Sequence, residues 1–164
     1  MIAAGATALS QPASDALEGL LIFAAAVWIG GLVAIFVVAR VARRTLQPRQ
    51  RVAFFRGLGR AYGPVGGTAL ALGLGCGATL LFGRAWDGTL ITATVTAACL
   101  VTVTAAGVAQ ARRMTRLRQE ALRNPADPAL AGAVRRGSIG AAALRAAIAA
   151  LSLALIGLGV LLTP

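Results

Sequence analysis

Four long runs of apolar residues set the pattern along the chain, separated by short polar or arginine-rich segments. The runs cover residues 17–39, 61–82, 88–111 and 146–163, and no arginine lies inside any of them. A helix needs about 20 apolar residues to cross about 30 Å of hydrocarbon. The pattern therefore predicts an all-α fold, an integral membrane four-helix bundle.

Little of the chain remains outside this bundle, so we expect one domain. Residues 1–16 are predicted to be a short lead-in outside the membrane, and residues 17–163 a single transmembrane domain. The lead-in has no basic residue and so lacks the start of a secretory signal. Ser14, followed by Glu18, has the character of a helix N-terminus.

The second and third runs are joined by residues 83–87, a connection short enough for an antiparallel hairpin. Trp86 suits the outer membrane–water interface, and Tyr62 suits the inner one. Pro64 is expected in the first turn of the second span, where the missing N–H costs little.

The arginines predict the orientation of the bundle. The chain has sixteen basic residues, all arginine, and fourteen of them lie within segments 40–60 and 112–136; the others are Arg84 and Arg145. Basic residues accumulate on the cytoplasmic side of a membrane protein. We therefore expect segments 40–60 and 112–145 in the cytoplasm and both termini outside.

The net charge of +11 would suggest nucleic acid as the partner of a soluble protein. Because these arginines flank membrane spans, we instead expect anionic lipid headgroups, each arginine near the surface contributing about 1 kcal/mol. No nucleic-acid partner is predicted. The residues expected at the headgroups are Arg40, Arg43, Arg44, Arg51, Arg56, Arg112, Arg113 and Arg136.

The cytoplasmic segments contain helix signals of their own. Pro48 starts a stretch that includes Phe54 and Phe55, and this is either an amphipathic helix on the inner leaflet or an ordinary solvated helix. The third span is expected to continue as a charged helix until Asn124 and Pro125 stop it. A second short helix is expected from Pro128 through Arg135 and Arg136.

The second span has small residues at a strict spacing of four. They are Gly59, Gly63, Gly67, Ala71, Gly75, Thr79 and Gly83. Such a row lets another helix approach closely, and Gly30 and Ala34 on the first span and a row from Ala143 to Gly157 on the fourth offer matching surfaces. The row either packs inside the four-helix bundle, the interpretation we favour, or forms a seam to a second copy or a partner membrane protein.

The chain lacks most of the residues that carry catalysis or bind cofactors in membranes. It has no histidine, and no acidic or basic residue lies in the middle of a span. Proton-coupled and redox pumps usually place such residues there. We therefore predict no catalytic residue, no metal and no cofactor, and we expect Cys76 and Cys99 to be free, buried and apolar in character.

One local pattern resembles a known family. Residues 27–32, with Trp28, Gly30 and Gly31 followed by Arg40 at the helix end, resemble the W-x-G-G element of CopD-like bacterial membrane proteins and the related HemJ-type protoporphyrinogen oxidases. Relatives commonly carry a haem- or copper-linked histidine upstream of the Trp, where this chain has residues 18–22 without one. The resemblance implies the scaffold and not the metal chemistry.

The leading hypothesis is a non-enzymatic accessory or interaction subunit of a bacterial inner membrane, the Ala-, Gly- and Arg-rich composition being typical of a GC-rich genome. The alternative is a membrane enzyme or carrier that holds a hydrophobic small molecule near Trp28, Gly31, Thr92 and Thr96. A proton-coupled exporter would need an intramembrane carboxylate, and Glu18 is its only candidate. Threonine hydroxyls in a membrane helix, such as those of Thr92 and Thr96, most often bond back to their own helix, which satisfies them without a ligand.

Overall fold

The protein folds as four long α-helices. The structure is a computed structural model that describes residues 10–124 and 127–162. The helices are α1 (Gln11–Thr45), α2 (Pro48–Leu80), α3 (Gly88–Arg123) and α4 (Pro128–Leu162). Each is long and apolar enough to cross a membrane. The predicted lead-in over residues 1–9, the helix stop at Pro125 and the end of the fourth span at Thr163 lie outside the described residues.

The helices are considerably longer than the apolar runs. They contain 33 to 36 residues each, about 50 Å at 1.5 Å per residue. Segments 40–60 and 112–145 are therefore not loops with short helices of their own. Residues 40–45, 48–60, 112–123 and 128–145 extend the four helices, and together they form what we call the arginine-rich end.

Two local predictions at this end are confirmed and two are wrong. Pro48 begins a helix, and α3 ends at Arg123 with Asn124 as its C-cap. However, the helix from Pro48 runs without a break to Leu80, and the helix from Pro128 runs to Leu162. Both helices pass through the boundary between charged and apolar sequence, and α2 does so although several glycines and a proline, the weakest helix formers, lie there.

Pro64 consequently lies inside α2 and not in its first turn. Its ring removes one donor from the helical ladder, so the carbonyl of Arg60 loses its partner within the helix. Similarly, α1 begins at Gln11 after the N-cap Ser10, with Pro12 in its first turn. The hydroxyl of Ser14 donates to the Gln11 carbonyl at 2.8 Å, so Ser14 is not the predicted N-terminus.

The four helices pack as two antiparallel hairpins. α1 lies along α2 and α3 lies along α4, whereas α2–α3 and α1–α4 contacts are sparse. The residues buried in these seams fall at intervals built from threes and fours, which place them on one face of each helix. They are Ala24, Gly31 and Ala42 on α1, Gly66, Ala69 and Cys76 on α2, Leu90, Ala93, Leu100 and Met114 on α3, and Ile148, Ser152 and Leu162 on α4.

Small residues bring the two helices of each hairpin close together. In the first hairpin, a Cβ added at Gly73 would lie 3.6 Å from Cβ of Ala24. In the second, a Cβ added at Gly107 would lie 3.4 Å from Cδ1 of Ile148, and one at Gly137 would overlap the Met114 sulfur. The seams therefore depend on missing side chains as much as on large ones.

The opposite end of the molecule is closed by the α2–α3 connection. Gly83 has φ of +84°, a conformation that favours glycine, so this member of the small-residue row belongs to a turn. Asp87 caps α3 by accepting from the Leu90 N–H at 2.7 Å. Arg84 donates to the Leu162 carbonyl at 2.6 Å, which satisfies a terminal carbonyl of α4.

Candidate functional site

The small-residue row of α2 faces away from the rest of the chain. We call Gly59, Gly63, Gly67, Ala71, Gly75 and Thr79 the outer row. All six are exposed. A Cβ added at any of its four glycines would have no atom within 4 Å. The favoured interpretation, that this row packs inside the four-helix bundle, is therefore wrong for the single chain.

A different face of α2 makes the helix contact. The residues on the side that faces α1 are Tyr62, Gly66, Ala69, Gly73 and Cys76, and all of them except Tyr62 are small. With 100° per residue, Gly67 and Ala71 lie on the side of α2 opposite this face. The smaller rows expected on the other helices are exposed as well: Gly30 and Ala34 on α1, and Ala143, Ala146, Ala150, Ala154 and Gly157 on α4.

Two aromatic residues form polar contacts between helices. The hydroxyl of Tyr62 donates to the Val27 carbonyl at 3.3 Å, and its ring lies over Gly31. Tyr62 is thus part of the α1–α2 seam, and its placement at the inner membrane interface stays a prediction. The indole N–H of Trp28 donates to the hydroxyl of the buried Ser152 at 2.9 Å, which links α1 with α4.

The four residues predicted to hold a hydrophobic ligand are each engaged within the chain. Trp28 bonds Ser152, and Gly31 is covered by Tyr62. The hydroxyls of Thr92 and Thr96 donate to the carbonyls of Gly88 and Thr92, both at 2.7 Å. These contacts favour structural roles for the four residues.

Three other threonines of α3 follow the same rule, and one of them, Thr115, donates to the Ala111 carbonyl at 2.9 Å. Thr94 and Thr102 donate to carbonyls one turn earlier at 2.8 Å. The hydroxyl of Thr104 is buried and, within the described residues, has no hydrogen-bond partner. Both cysteines are free as predicted, but only Cys76 is buried, whereas Cys99 is exposed on α3.

The arginine-rich end presents a dense positive surface. Seven of the eight arginines predicted to meet headgroups are exposed; the eighth, Arg51, is half-buried and donates through Nε to the Leu46 carbonyl at 2.9 Å. On α3, Ala109, Arg112, Arg113, Arg116, Leu117 and Glu120 line an open cleft of about 450 Å³. Within the described part of the chain, no arginine at this end forms an ion pair.

One arginine differs from this exposed group. Arg118 is half-buried on α3. Burial, followed by the charges of Arg145 on α4 and Arg43 on α1, lowers the pKa of its guanidinium below the ordinary value. Sequence reasoning did not single out Arg118, because arginine spacing along one helix does not show which arginine other helices partly cover.

Ser152 was also missed, since a lone serine in an apolar run gives no signal until the helix opposite it is known. Among the described residues, no three His, Cys, Asp or Glu side chains are grouped so that they could hold a metal ion. Of the five acidic residues, Asp87 and Asp127 accept from backbone N–H groups at helix starts.

The predicted resemblance of residues 27–32 to CopD-like and HemJ-like proteins rests on the W-x-G-G element alone. The structure places Trp28 in the α1–α4 contact and Gly31 in the α1–α2 seam, beside the exposed Gly30. Comparison of the chain with protein-family models, with curated proteins and with solved structures finds no match.

Proposed function

We propose that the protein is a non-enzymatic, multi-pass protein of a bacterial inner membrane that serves as an interaction subunit through the outer row of α2. A transmembrane helix, of a second copy or of another membrane protein, packs against this row. The single observation that carries the proposal is that all six residues of the outer row are exposed and that a Cβ added at any of its four glycines would meet no atom of the chain.

Bilayer chemistry explains why such a row favours a helix as its partner. Between helices in lipid the hydrophobic effect contributes little, and association depends on close van der Waals contact between backbones. A row at four-residue spacing forms a ridge inclined to the helix axis, and two such ridges cross in a right-handed manner at about −40°. The open space above Gly63 and Gly67 allows this approach.

Cross-linking in native membranes tests this function. The variant Ala71→Cys places a thiol at the centre of the outer row, and Gly19→Cys places one at an exposed position of α1 with open space around it. Both are made in a Cys99→Ala background because Cys99 is exposed. We expect a discrete adduct from residue 71 and none from residue 19, and its mass distinguishes a second copy from a different membrane protein.

A packing variant gives the matched loss of function. Gly67→Leu fills the row with a side chain that meets no other atom of its own chain. We expect it to abolish the adduct at residue 71, whereas Gly19→Leu leaves the adduct unchanged. Equal cross-linking from residues 71 and 19, or an adduct that survives Gly67→Leu, contradicts the proposal.

The proposed orientation places the arginine-rich end in the cytoplasm and both termini outside. It is supported by the concentration of fourteen arginines in segments 40–60 and 112–136. In the Cys99→Ala background, we expect Gln50→Cys and Glu120→Cys to be protected from an impermeant thiol reagent added to intact cells. Trp86→Cys, in the exposed α2–α3 connection, is expected to react; the reverse pattern would invert the topology.

A further inference from the structure

The cleft on α3 brings two apolar residues, three arginines and one glutamate together on a single helix. From Ala109 to Glu120 it measures about 16 Å along the helix axis, at 1.5 Å per residue. Its lining residues recur at intervals of three and four, which places them side by side on one face. Arg116 lies about 200° around α3 from Met114, which packs against Gly137 of α4. The cleft therefore faces away from the α3–α4 seam.

The charged groups of the cleft are available to a ligand. Arg112, Arg113, Arg116 and Glu120 are all exposed. Within residues 10–124 and 127–162, none of the four side chains forms an ion pair or a hydrogen bond. This includes the pair Arg116 and Glu120, although residues four apart on a helix are close enough to interact. The cleft thus offers three guanidinium groups as donors and one carboxylate as acceptor.

An apolar track leads from the cleft along α3 toward the opposite end of the helix. Its residues are exposed and follow one another at alternating intervals of four and three, so they share the face of the cleft. They are Ile91, Val95, Ala98, Thr102, Ala105 and Ala109. The hydroxyl of Thr102 donates to the Ala98 carbonyl at 2.8 Å, which satisfies its donor within the helix. An acyl chain therefore fits along this track, with its polar end at the arginines.

The chemistry of this face changes in a fixed order along the helix. It is apolar up to Ala109, positive at residues 112, 113 and 116, and negative at Glu120. A phospholipid with an ethanolamine headgroup has the complementary order of acyl chain, phosphate and ammonium. Guanidinium groups recognise phosphate oxygens through paired N–H donors, and an ammonium group donates charge-assisted hydrogen bonds to a carboxylate.

We propose that the cleft binds one molecule of phosphatidylethanolamine. Its phosphate lies at Arg112, Arg113 and Arg116, its ammonium group at Glu120, and one acyl chain along the track that ends at Ala109. The proposal names a lipid and not a soluble phosphate compound, because only a lipid uses the apolar track. It rests on the proposed function only for the placement of the helices in a membrane, and it does not involve the outer row of α2.

The test uses the full chain, purified in a nonionic detergent. Native mass spectrometry measures the affinity for phosphatidylethanolamine, phosphatidylglycerol and phosphatidylcholine with identical acyl chains. We expect one phosphatidylethanolamine to bind about fivefold more tightly than either of the others. The glycerol headgroup replaces the ammonium group by a neutral hydroxyl, and the choline headgroup has no N–H to donate, so neither forms the charge-assisted hydrogen bond to Glu120.

Two variants separate the roles of the charged groups. Arg116→Gln should weaken the binding of all three lipids by about tenfold, because it removes a charge-assisted hydrogen bond to the phosphate that they share. Glu120→Gln should abolish the preference for phosphatidylethanolamine and leave the affinity for phosphatidylglycerol unchanged or higher. Both residues are exposed, so the variants should fold, which helical circular dichroism checks.

Arg135→Gln is the matched control. It removes the same charge from an exposed position on α4, two residues before Gly137, which packs against Met114 beside the level of the cleft. We expect it to change the affinity for each lipid by less than about twofold, because Arg135 does not line the cleft.

Glycerophosphoethanolamine, which has the same headgroup without acyl chains, distinguishes a lipid from a soluble ligand in calorimetry, and we expect no measurable binding. Equal affinity for this compound and for the lipid overturns the proposal. So do equal losses in Arg116→Gln and Arg135→Gln, and a preference for phosphatidylethanolamine that is absent from the wild type or survives Glu120→Gln. Cross-linking at the outer row uses other variants in native membranes, so failure of the interaction function is distinguished from failure of the lipid site.

Discussion

Two pairs of neighbouring glycines divide the surface of the first hairpin into an inner and an outer side. On α1, Gly31 is buried beneath the Tyr62 ring, whereas Gly30 is exposed with no atom within reach of an added Cβ. On α2, Gly66 lies against the same ring, and Gly67 faces open space. In each pair the two glycines are adjacent in the sequence, yet one packs against Tyr62 and the other is uncovered.

The comparison teaches that small size alone does not indicate where a helix packs. The inner face of α2 and its outer row are similar in composition, yet only the inner face contains an aromatic side chain, Tyr62, that fills the space left by two glycines. The outer row has no such filler within the chain. The four following predictions test this division, from the largest expected effect to the smallest.

Removal of the filler should be the most damaging change. Tyr62→Ala empties the space between Gly31 and Gly66 and deletes the hydrogen bond to the Val27 carbonyl. We expect the free energy of unfolding in mixed micelles to fall by about 3 kcal/mol. Phe23→Ala is the control, since Phe23 is 67% exposed, and its effect should be within about 0.5 kcal/mol. Equal losses of unfolding free energy in the two variants would contradict the distinction between the inner and outer sides.

Gly31→Leu should be the next most damaging, because any side chain at this position overlaps the Tyr62 hydroxyl. We expect a loss of about 2 kcal/mol of unfolding free energy, typical of overpacking. Gly30→Leu, one residue away, should be nearly neutral in the isolated chain. The double variant Gly31→Leu/Tyr62→Ala should lose less than the two single variants combined, which denaturant titration of all four proteins would measure.

Replacement of glycine by alanine should change the free energy of unfolding in opposite directions on the two sides of α2. At Gly66 an added Cβ would lie 3.0 Å from Cε1 of Tyr62, so Gly66→Ala should destabilise by about 1 kcal/mol. At Gly67 the added methyl meets nothing, and Gly67→Ala should stabilise the monomer by about 0.5 kcal/mol through helix propensity. Changes of the same sign in thermal unfolding would contradict the assignment of faces.

The contact between the two hairpins should be worth least. Trp28 and Ser152 form the indole–hydroxyl bond between α1 and α4. A double-mutant cycle of Trp28→Phe and Ser152→Ala should give a coupling energy of about 0.6 kcal/mol, the mean for hydrogen bonds between transmembrane helices. A coupling near zero would mean that the seams within the hairpins alone hold the four helices together.

Much of the secondary structure could be predicted from run length and charge, and the errors have a common cause. The helix end at Asn124 and the helix start at Pro48 are marked by local sequence signals, and both predictions are confirmed. The helical extensions of α2 and α4 are not predicted, because a change from apolar to charged residues resembles a helix boundary. Polarity determines which solvent a helix meets, but not where the helix ends.

The candidate site was less accessible from sequence. The outer row is recognisable in the sequence as small and regular. Which side of α2 it occupies depends on where Tyr62 packs, and the sequence predicts an interface for Tyr62 and not the α1–α2 seam. Arg118 could not be distinguished from the other arginines, since its burial depends on how the helices pack and the charges that lower its pKa belong to α4 and α1. Thr92 and Thr96 bond their own helix, as hydroxyls in apolar helices usually do, and this was foreseeable from local chemistry.

By itself, the sequence determined the number of helices, their apolar length and the end at which the positive charge accumulates. These properties follow from the free-energy cost of removing guanidinium groups and unpaired backbone groups from water. That cost depends on the composition of each segment by itself. Tertiary structure decided which glycines are covered, that Arg118 is half-buried and that Trp28 bonds Ser152. Each of these is a property of two helices at once, set by how side chains of one fill the spaces of the other.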